Sequence, residues 1–378
     1  MANTYLYIDD TELTVIEGIA NGLKKSGIIN VIAENPKPWQ EQVSSIIDRI
    51  DHFDGILLDW RLTEEVRRSA SDQDVSIKYS AEALAQEIRF LYSDKEKNIV
   101  VKDIPIVLCS GNEGFLGYYL KDETGHDLFD EVYEKMGFTQ NHDCIVNQLN
   151  ALAEAYKTLQ IGENSCQSVL NATIGIELDV RLTSKVDSLL EDKIPHGFVR
   201  FLLTEIVKKP GVLIDEGTLA ARLGMDINES GDWGILLAES LNPRCKYNGI
   251  LSGGWNRWWS DGFLNWWSEK IDLTHPQLMH AQKRVDLIKA KTGLTNLSAA
   301  KKIKHCKSSE FWAICEGTKQ PIDPSEGLLV KSGNLYPWQE EKYVSLFALL
   351  DQRVEPSILN PLERIKFKHL KSTILPNG

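Results

Sequence analysis

The 378-residue sequence predicts an α/β domain over residues 1–160, a parallel doubly wound sheet, followed by a mainly α-helical domain over residues 161–378. Three observations predict this. Short, uniformly apolar runs alternate with amphipathic stretches in the first part, the pattern of strands buried on both faces and of the helices that cover them. Beyond the polar stretch Gly162-Glu163-Asn164-Ser165 few such runs recur, and proline and glycine punctuate helical segments. Charge divides the chain in the same way: residues 1–150 hold 27 acidic and 14 basic side chains, a balance of −13, whereas the remainder holds 27 and 28, a balance of +1.

Each element has its own signal. Tyr5-Leu6-Tyr7-Ile8 reads as a first strand ending at Asp9-Asp10. Leu13, Ile16, Ile19, Ala20 and Leu23 then recur at helical spacing, and Gly27 closes the segment. Ile28 to Ala33 is a second strand, and Trp39, Val43, Ile46, Ile47 and Ile50 mark a second helix. Gly55-Ile56-Leu57-Leu58 is a third strand, ending at Asp59. Ala81 to Tyr92 is helical, with Leu84, Ile88 and Leu91 on one face. Ile104 to Leu108 is a fourth strand, ending at Cys109-Ser110. A fifth lies around Phe129 to Tyr133, and a last helix runs from Asp143 to Leu159.

In parallel sheets of this kind the chemistry gathers at the carboxyl ends of the strands. Asp9, Asp10, Asp59 and Ser110 stand there. Three carboxylates converging on one edge repel unless a cation lies among them. Oxygen ligands without His or Cys suit a hard divalent ion, Mg²⁺ above all, which also recruits phosphate oxygens. A lysine after the fifth strand, Lys135, would complete a phosphate-holding site. The competing structural reading makes Asp9 and Asp10 caps of the first helix.

In these motifs, residues 1 to about 155 resemble the receiver domain of two-component response regulators. Asp9-Asp10 match that family's metal-binding pair, and Asp59, in LLDWRL, matches its phosphoacceptor. Ser110, in IVLCSGN, matches the hydroxyl residue that senses the phosphoryl group, and Lys135, in DEVYEKMGF, matches the lysine that contacts it. By the same matching Arg61 lends its backbone carbonyl to the metal. The resemblance implies a five-stranded sheet of order 2-1-3-4-5, Mg²⁺ as cofactor and a sensor histidine kinase as partner. It also implies that Asp59 attacks a phosphoryl group on a phosphohistidine, while Mg²⁺ and Lys135 neutralise charge on the transferred oxygens. The new charge then draws in Ser110 and biases a surface near the fourth helix and fifth strand.

The sequence departs from the family pattern in places. Met136 follows Lys135 where the family has proline, which leaves Lys121 as a second lysine candidate. Val132 occupies the position of the family's aromatic switch residue, with Tyr133 one place away. Fifty residues separate Asp59 from Ser110, and the surplus falls in Thr63 to Lys78 and Ser93 to Asp103.

The second part carries helical signals at Leu182–Leu190, Gly197–Lys208, Gly217–Leu223, Trp233–Leu241, Gln277–Ala290, Trp338–Gln352 and Leu362–Lys371. Gly217 to Leu241 has the outline of a helix-turn-helix, but its second helix carries Glu229, Asp232 and Glu239 and no Lys or Arg. Such a helix suits neither phosphates nor base edges. Half of the ten tryptophans, Trp255, Trp258, Trp259, Trp266 and Trp267, fall between Gly253 and Glu269 at spacings that fit helical turns. They read either as a large-residue core or as an aromatic surface for a partner, with Arg257 stacked on a ring or paired with Asp261. The basic stretch Arg364 to Lys371 reads as a solvated helix face.

The six cysteines are scattered without a CxxC pair, which argues against a zinc site or a disulfide framework. No secretory signal and no apolar run of membrane-spanning length stands out, so the expectation is a cytoplasmic protein without membrane contact. The expected function is a phosphoacceptor signalling protein, not an enzyme apart from phosphotransfer and dephosphorylation at Asp59. Its second part would serve protein interaction, a downstream effector included, or phosphoryl buffering. The alternatives are a DNA-binding regulator, disfavoured by the acidic helix, and an effector enzyme. A homodimer is left open, and an analogy runs to bacterial defence systems that resemble two-component systems.

Overall fold

Five apolar runs pair into one sheet in the computed structural model, which describes residues 2–62, 79–93, 102–111, 127–161, 164–172 and 176–374. The strands are β1 (Asn3–Ile8), β2 (Ile29–Glu34), β3 (Gly55–Asp59), β4 (Ile106–Ser110) and β5 (Glu131–Glu134). All neighbours are parallel, in the order β2-β1-β3-β4-β5 expected from the sequence. Connecting helices are α1 (Leu13–Lys24), α2 (Trp39–Ile47) and α3 (Ala81–Ser93), and α4 (His142–Gln160) follows β5. Thr63 to Lys78, Lys121 and residues 94–101 of the Ser93 to Asp103 stretch lie outside the described residues, as does the expected fourth helix before β5.

Side chains alternate across each strand, so each strand feeds both faces. Leu6, Ile8, Ile56, Leu58, Ile106 and Leu108 join one core with Ile46 and Phe53 and with Leu84, Ala85 and Ile88 of α3. Tyr5 and Tyr7 point to the opposite face, where the Tyr5 hydroxyl donates to the Leu149 carbonyl of α4 at 2.6 Å. Gly55 is required beneath that ring: a Cβ there would lie 2.2 Å from Tyr5 Cε1. β4 starts two residues later than expected because Pro105 has no N–H for the ladder, although its carbonyl still accepts from Ile56 N at 2.9 Å. β5 is likewise shifted towards Lys135.

The chain divides into two compact units, each drawing on several stretches. Residues 1–169, 185–201 and 249–255 make the first; residues 170–184, 202–248 and 256–378 make the second. In the first, His196 closes a buried polar network at the amino ends of β4 and β5. Arg89 of α3 donates to Asp103 at 2.6 Å and to Asp130 at 2.8 Å, Tyr156 of α4 donates to Asp130 at 2.6 Å, and His196 N donates to Asp103 at 3.0 Å. Burial pushes the Asp130 carboxyl up, but Arg89, His196 and Tyr156 outweigh it and hold it below its ordinary value.

The second unit is helical with short two-stranded ladders. Among its elements are β6 (Leu213–Ile214), α5 (Glu216–Leu223), β7 (Trp258–Trp259), α6 (Ser260–Lys270), α7 (Ala281–Thr292) and α8 (Pro361–Ile374). The expected helix Trp338–Gln352 is not formed as such. Tyr343–Val344 pairs with Leu328–Leu329, and the helix runs only from Leu346 to Leu350, where the Ser345 hydroxyl caps Ala348 N. The Trp255-Trp258-Trp259 spacing is not helical either: Trp258 and Trp259 lie in β7, antiparallel to β6. All six cysteines are free thiols. Among the described residues, no helix is long and apolar enough to cross a membrane.

Candidate functional site

The parallel register brings the strand ends to one edge. Ile8 pairs with Leu58, so Asp9 follows β1 beside Asp59, the last residue of β3. Asp59 pairs with Cys109, so Ser110 stands one residue further along β4, and Ser110 pairs with Glu134, just before Lys135. The Lys135 N–H continues the ladder to the Ser110 carbonyl at 2.8 Å. The chain thus supplies acid, acid and lysine at or just past the ends of rigid strands that aim them at one point.

Asp9, Asp10 and Asp59 offer one carboxylate oxygen each, all within 4.8 Å of one another. Asp9 is fully buried, Asp59 is 5% exposed and Asp10 is half-buried. Lys135 Nζ lies 2.6 Å from Asp9 Oδ2 and 2.6 Å from Asp59 Oδ1. Asp9 Oδ2 also accepts from the Tyr7 hydroxyl, and Asp9 Oδ1 accepts from Thr11 N at 3.0 Å. Asp59 Oδ2 accepts from Arg61 N at 2.9 Å. Asn35 fastens the loop by donating to the Asp9 and Thr11 carbonyls at 2.9 and 2.8 Å. The helix-cap reading of the two acids does not hold, because the N-cap of α1 is Glu12.

The two buried carboxylates differ electrostatically although they share one lysine. Burial raises both. On Asp9, Lys135, Tyr7 and Thr11 N together win, and its pKa falls below the ordinary value. On Asp59 burial wins over Lys135, the Asp9 charge adds to it, and the pKa rises. Lys135 is disfavoured as a cation by burial, but Asp59 and Asp9 overcompensate and raise its pKa. Three carboxylates against one lysine leave two negative charges when all ionise. An all-oxygen donor set of this span and charge fits a hard divalent cation such as Mg²⁺.

Of the two readings of the tryptophan segment, the core holds and the partner surface does not. Trp255, Trp258, Trp259, Trp266 and Trp267 are all at most 5% exposed. Trp255 belongs to the first unit; the other four belong to the second, where Trp258, Trp266 and Trp267 join its main core. Two of the indole N–H groups are used inside, Trp258 Nε1 donating to Asn242 and Trp267 Nε1 to the Thr274 carbonyl, both at 2.9 Å, whereas Trp259 Nε1 is buried without a partner among the described residues. Arg257 neither stacks on these rings nor pairs with Asp261 in the described contacts; it donates to the Val207 and Asn256 carbonyls. In the helix-turn-helix candidate, Arg222 of α5 is fully buried, bonded by both terminal nitrogens to Ser260 and Glu340. Glu229 and Glu239 are exposed and Asp232 is half-buried.

Sequence reasoning missed Tyr7 and Asn35. The signal for Tyr7 was its two-residue spacing from Asp9, which places both side chains on one face of an extended segment.

No family model matches the chain, and no curated protein matches it. Among solved structures, it is similar to a response regulator receiver domain protein from Clostridium thermocellum, at 16% identity and a TM-score of 0.27, over 42% of this chain and 99% of that one. It is also similar to a putative pilus assembly-related protein from Burkholderia pseudomallei, at 12% identity and a TM-score of 0.22, over 37% of this chain and 87% of that one.

Proposed function

We propose that the first unit is a phosphoacceptor signalling module that takes a phosphoryl group on Asp59 from a phosphohistidine of a partner kinase. One observation carries this: three carboxylates within 4.8 Å of one another, two of them 2.6 Å from the same lysine, at the carboxyl edge of a parallel sheet. Asp9, Asp10 and Asp59, with the Arg61 carbonyl, would hold Mg²⁺. When bound, that ion supplies positive charge for the transferred oxygens.

In the transfer an Asp59 oxygen forms the new O–P bond as the donor's N–P bond breaks, and the freed imidazole nitrogen keeps its electron pair and takes a proton from solvent. Asp59 stands at the end of β3 with Lys135 Nζ 2.6 Å from its Oδ1, placed to meet the incoming charge. Ser110, buried at the end of β4, is the hydroxyl that would answer the phosphoryl group. Beyond this self-directed chemistry the protein would not act as an enzyme. The remainder of the chain would serve protein interaction or phosphoryl buffering in the cytoplasm, with a downstream effector as the second partner.

Acetyl phosphate with Mg²⁺ is the direct test. Intact-mass measurement is expected to find one labile phosphoryl group on the wild type and none on Asp59→Ala. A wild type that stays unmodified by both acetyl phosphate and a cognate kinase overturns the proposal.

A further inference from the structure

We infer that Tyr7 is a positioning residue that sets the affinity of the Asp9–Asp10–Asp59 site for a divalent cation; the inference rests on the metal reading of that site. Tyr7 is fully buried in β1, so its hydroxyl needs a partner within the protein. It finds Asp9 Oδ2, the oxygen that also takes Lys135 Nζ. A carboxylate oxygen has two lone-pair directions, and Tyr7 and Lys135 occupy both.

The other oxygen, Asp9 Oδ1, accepts from Thr11 N, which among the described residues leaves one of its directions open. The carboxylate is thereby held in one rotation, with its unspent acceptor capacity on Oδ1. The lysine is on a flexible stem and also serves Asp59. The tyrosine is a rigid ring on an inner strand of the sheet; its hydroxyl donates to Asp9 and also meets the Cys109 thiol, itself fixed within β4. Tyr7 is therefore the fixed reference for Asp9, and Lys135 the partner free to turn towards another anion. Hydrogen bonds of this outer kind orient metal ligands, and their loss typically costs 10–100-fold in affinity.

Calorimetric titration of the full chain with Mg²⁺ alone tests this. Tyr7→Phe removes one oxygen and no carbon. Tyr7→Met lacks the same donor in an adaptable side chain, so either variant that folds gives the answer. The expected result is a Kd for Mg²⁺ about tenfold above wild type. The Mg²⁺ concentration that half-saturates phosphorylation by acetyl phosphate should rise in parallel, and the lost rate should return as Mg²⁺ is raised. A merely structural tyrosine would lower the unfolding midpoint and leave the Kd alone. An unchanged or tighter Kd in a folded variant, with binding by the wild type, overturns the role of Tyr7. No Mg²⁺ binding by the wild type overturns the metal reading itself.

Discussion

At the scale of single residues, Asp9 and Asp59 share Lys135 and yet are shifted in opposite directions. The difference lies in their remaining partners: Asp9 has Tyr7 and Thr11 N, whereas Asp59 has Arg61 N and the repulsion of Asp9 itself. One lysine cannot neutralise three carboxylates, so a divalent cation should stabilise the fold. Mg²⁺ at 100 times its Kd should raise the unfolding free energy by about 2.7 kcal/mol, and a chelator should reverse the gain. Asp9→Asn should abolish it. Urea denaturation with and without Mg²⁺ checks this, and equal midpoints in the wild type would contradict it.

At the scale of elements, the sheet depends on close approach between β1 and β3. Gly55 lies under the Tyr5 ring, whose hydroxyl ties β1 to α4. Gly55→Ala should force that ring and its bond to Leu149 apart, at a cost of about 1–3 kcal/mol. A urea midpoint equal to wild type would show that the ring moves freely.

Asp54, just before β3, accepts from Thr4 N at 2.9 Å, Lys157 at 3.1 Å and Lys102 at 3.2 Å. Burial raises its pKa, but these three donors outweigh it and leave it below 3.8. A depressed carboxylate contributes stability above its unfolded pKa and loses it as the pH falls through the folded value. Asp54→Asn should therefore cost on the order of 1–2 kcal/mol at neutral pH. The deficit should shrink as the pH falls below 3.8 through the lower folded value. Chemical denaturation across that window reads the sign; a deficit independent of pH would assign the loss to packing.

At the scale of the whole molecule, each unit draws residues from distant parts of the chain. In the first, the segment 185–201 brings His196 to Asp103 and Asp130 at the amino ends of β4 and β5. That end lies opposite the acidic edge. Arg89 is the cation on which both buried acids depend. Arg89→Met should cost about 3–5 kcal/mol because it strands two buried carboxylates. Asp103→Asn in the same background should recover part of the loss, since it removes one of them. A loss below about 1 kcal/mol in the single variant would mean that water or His196 replaces the guanidinium.

The sequence by itself determined the sheet and the residues at its carboxyl edge. Strands buried on both faces must be apolar throughout, and each such run ended on the residue that matters: Asp9 after Ile8, Asp59 after Leu58, Ser110 after Cys109. Parallel pairing then leaves little freedom, because every carboxyl end lands on the same edge. Only the tertiary structure decided which polar groups meet across the chain. Lys135 could be placed near the acids, but its equal approach to Asp9 and Asp59 depends on the turn after β5. The tryptophan segment was ambiguous because helical spacing alone does not say which side is covered; packing around β6, β7 and α6 buried it. Arg222 and His196 gave no local signal, since their partners Glu340, Asp103 and Asp130 lie more than sixty residues away. Local pattern reports which atoms must leave water. Which atoms they then meet is set by long-range packing, and a single sequence does not display it.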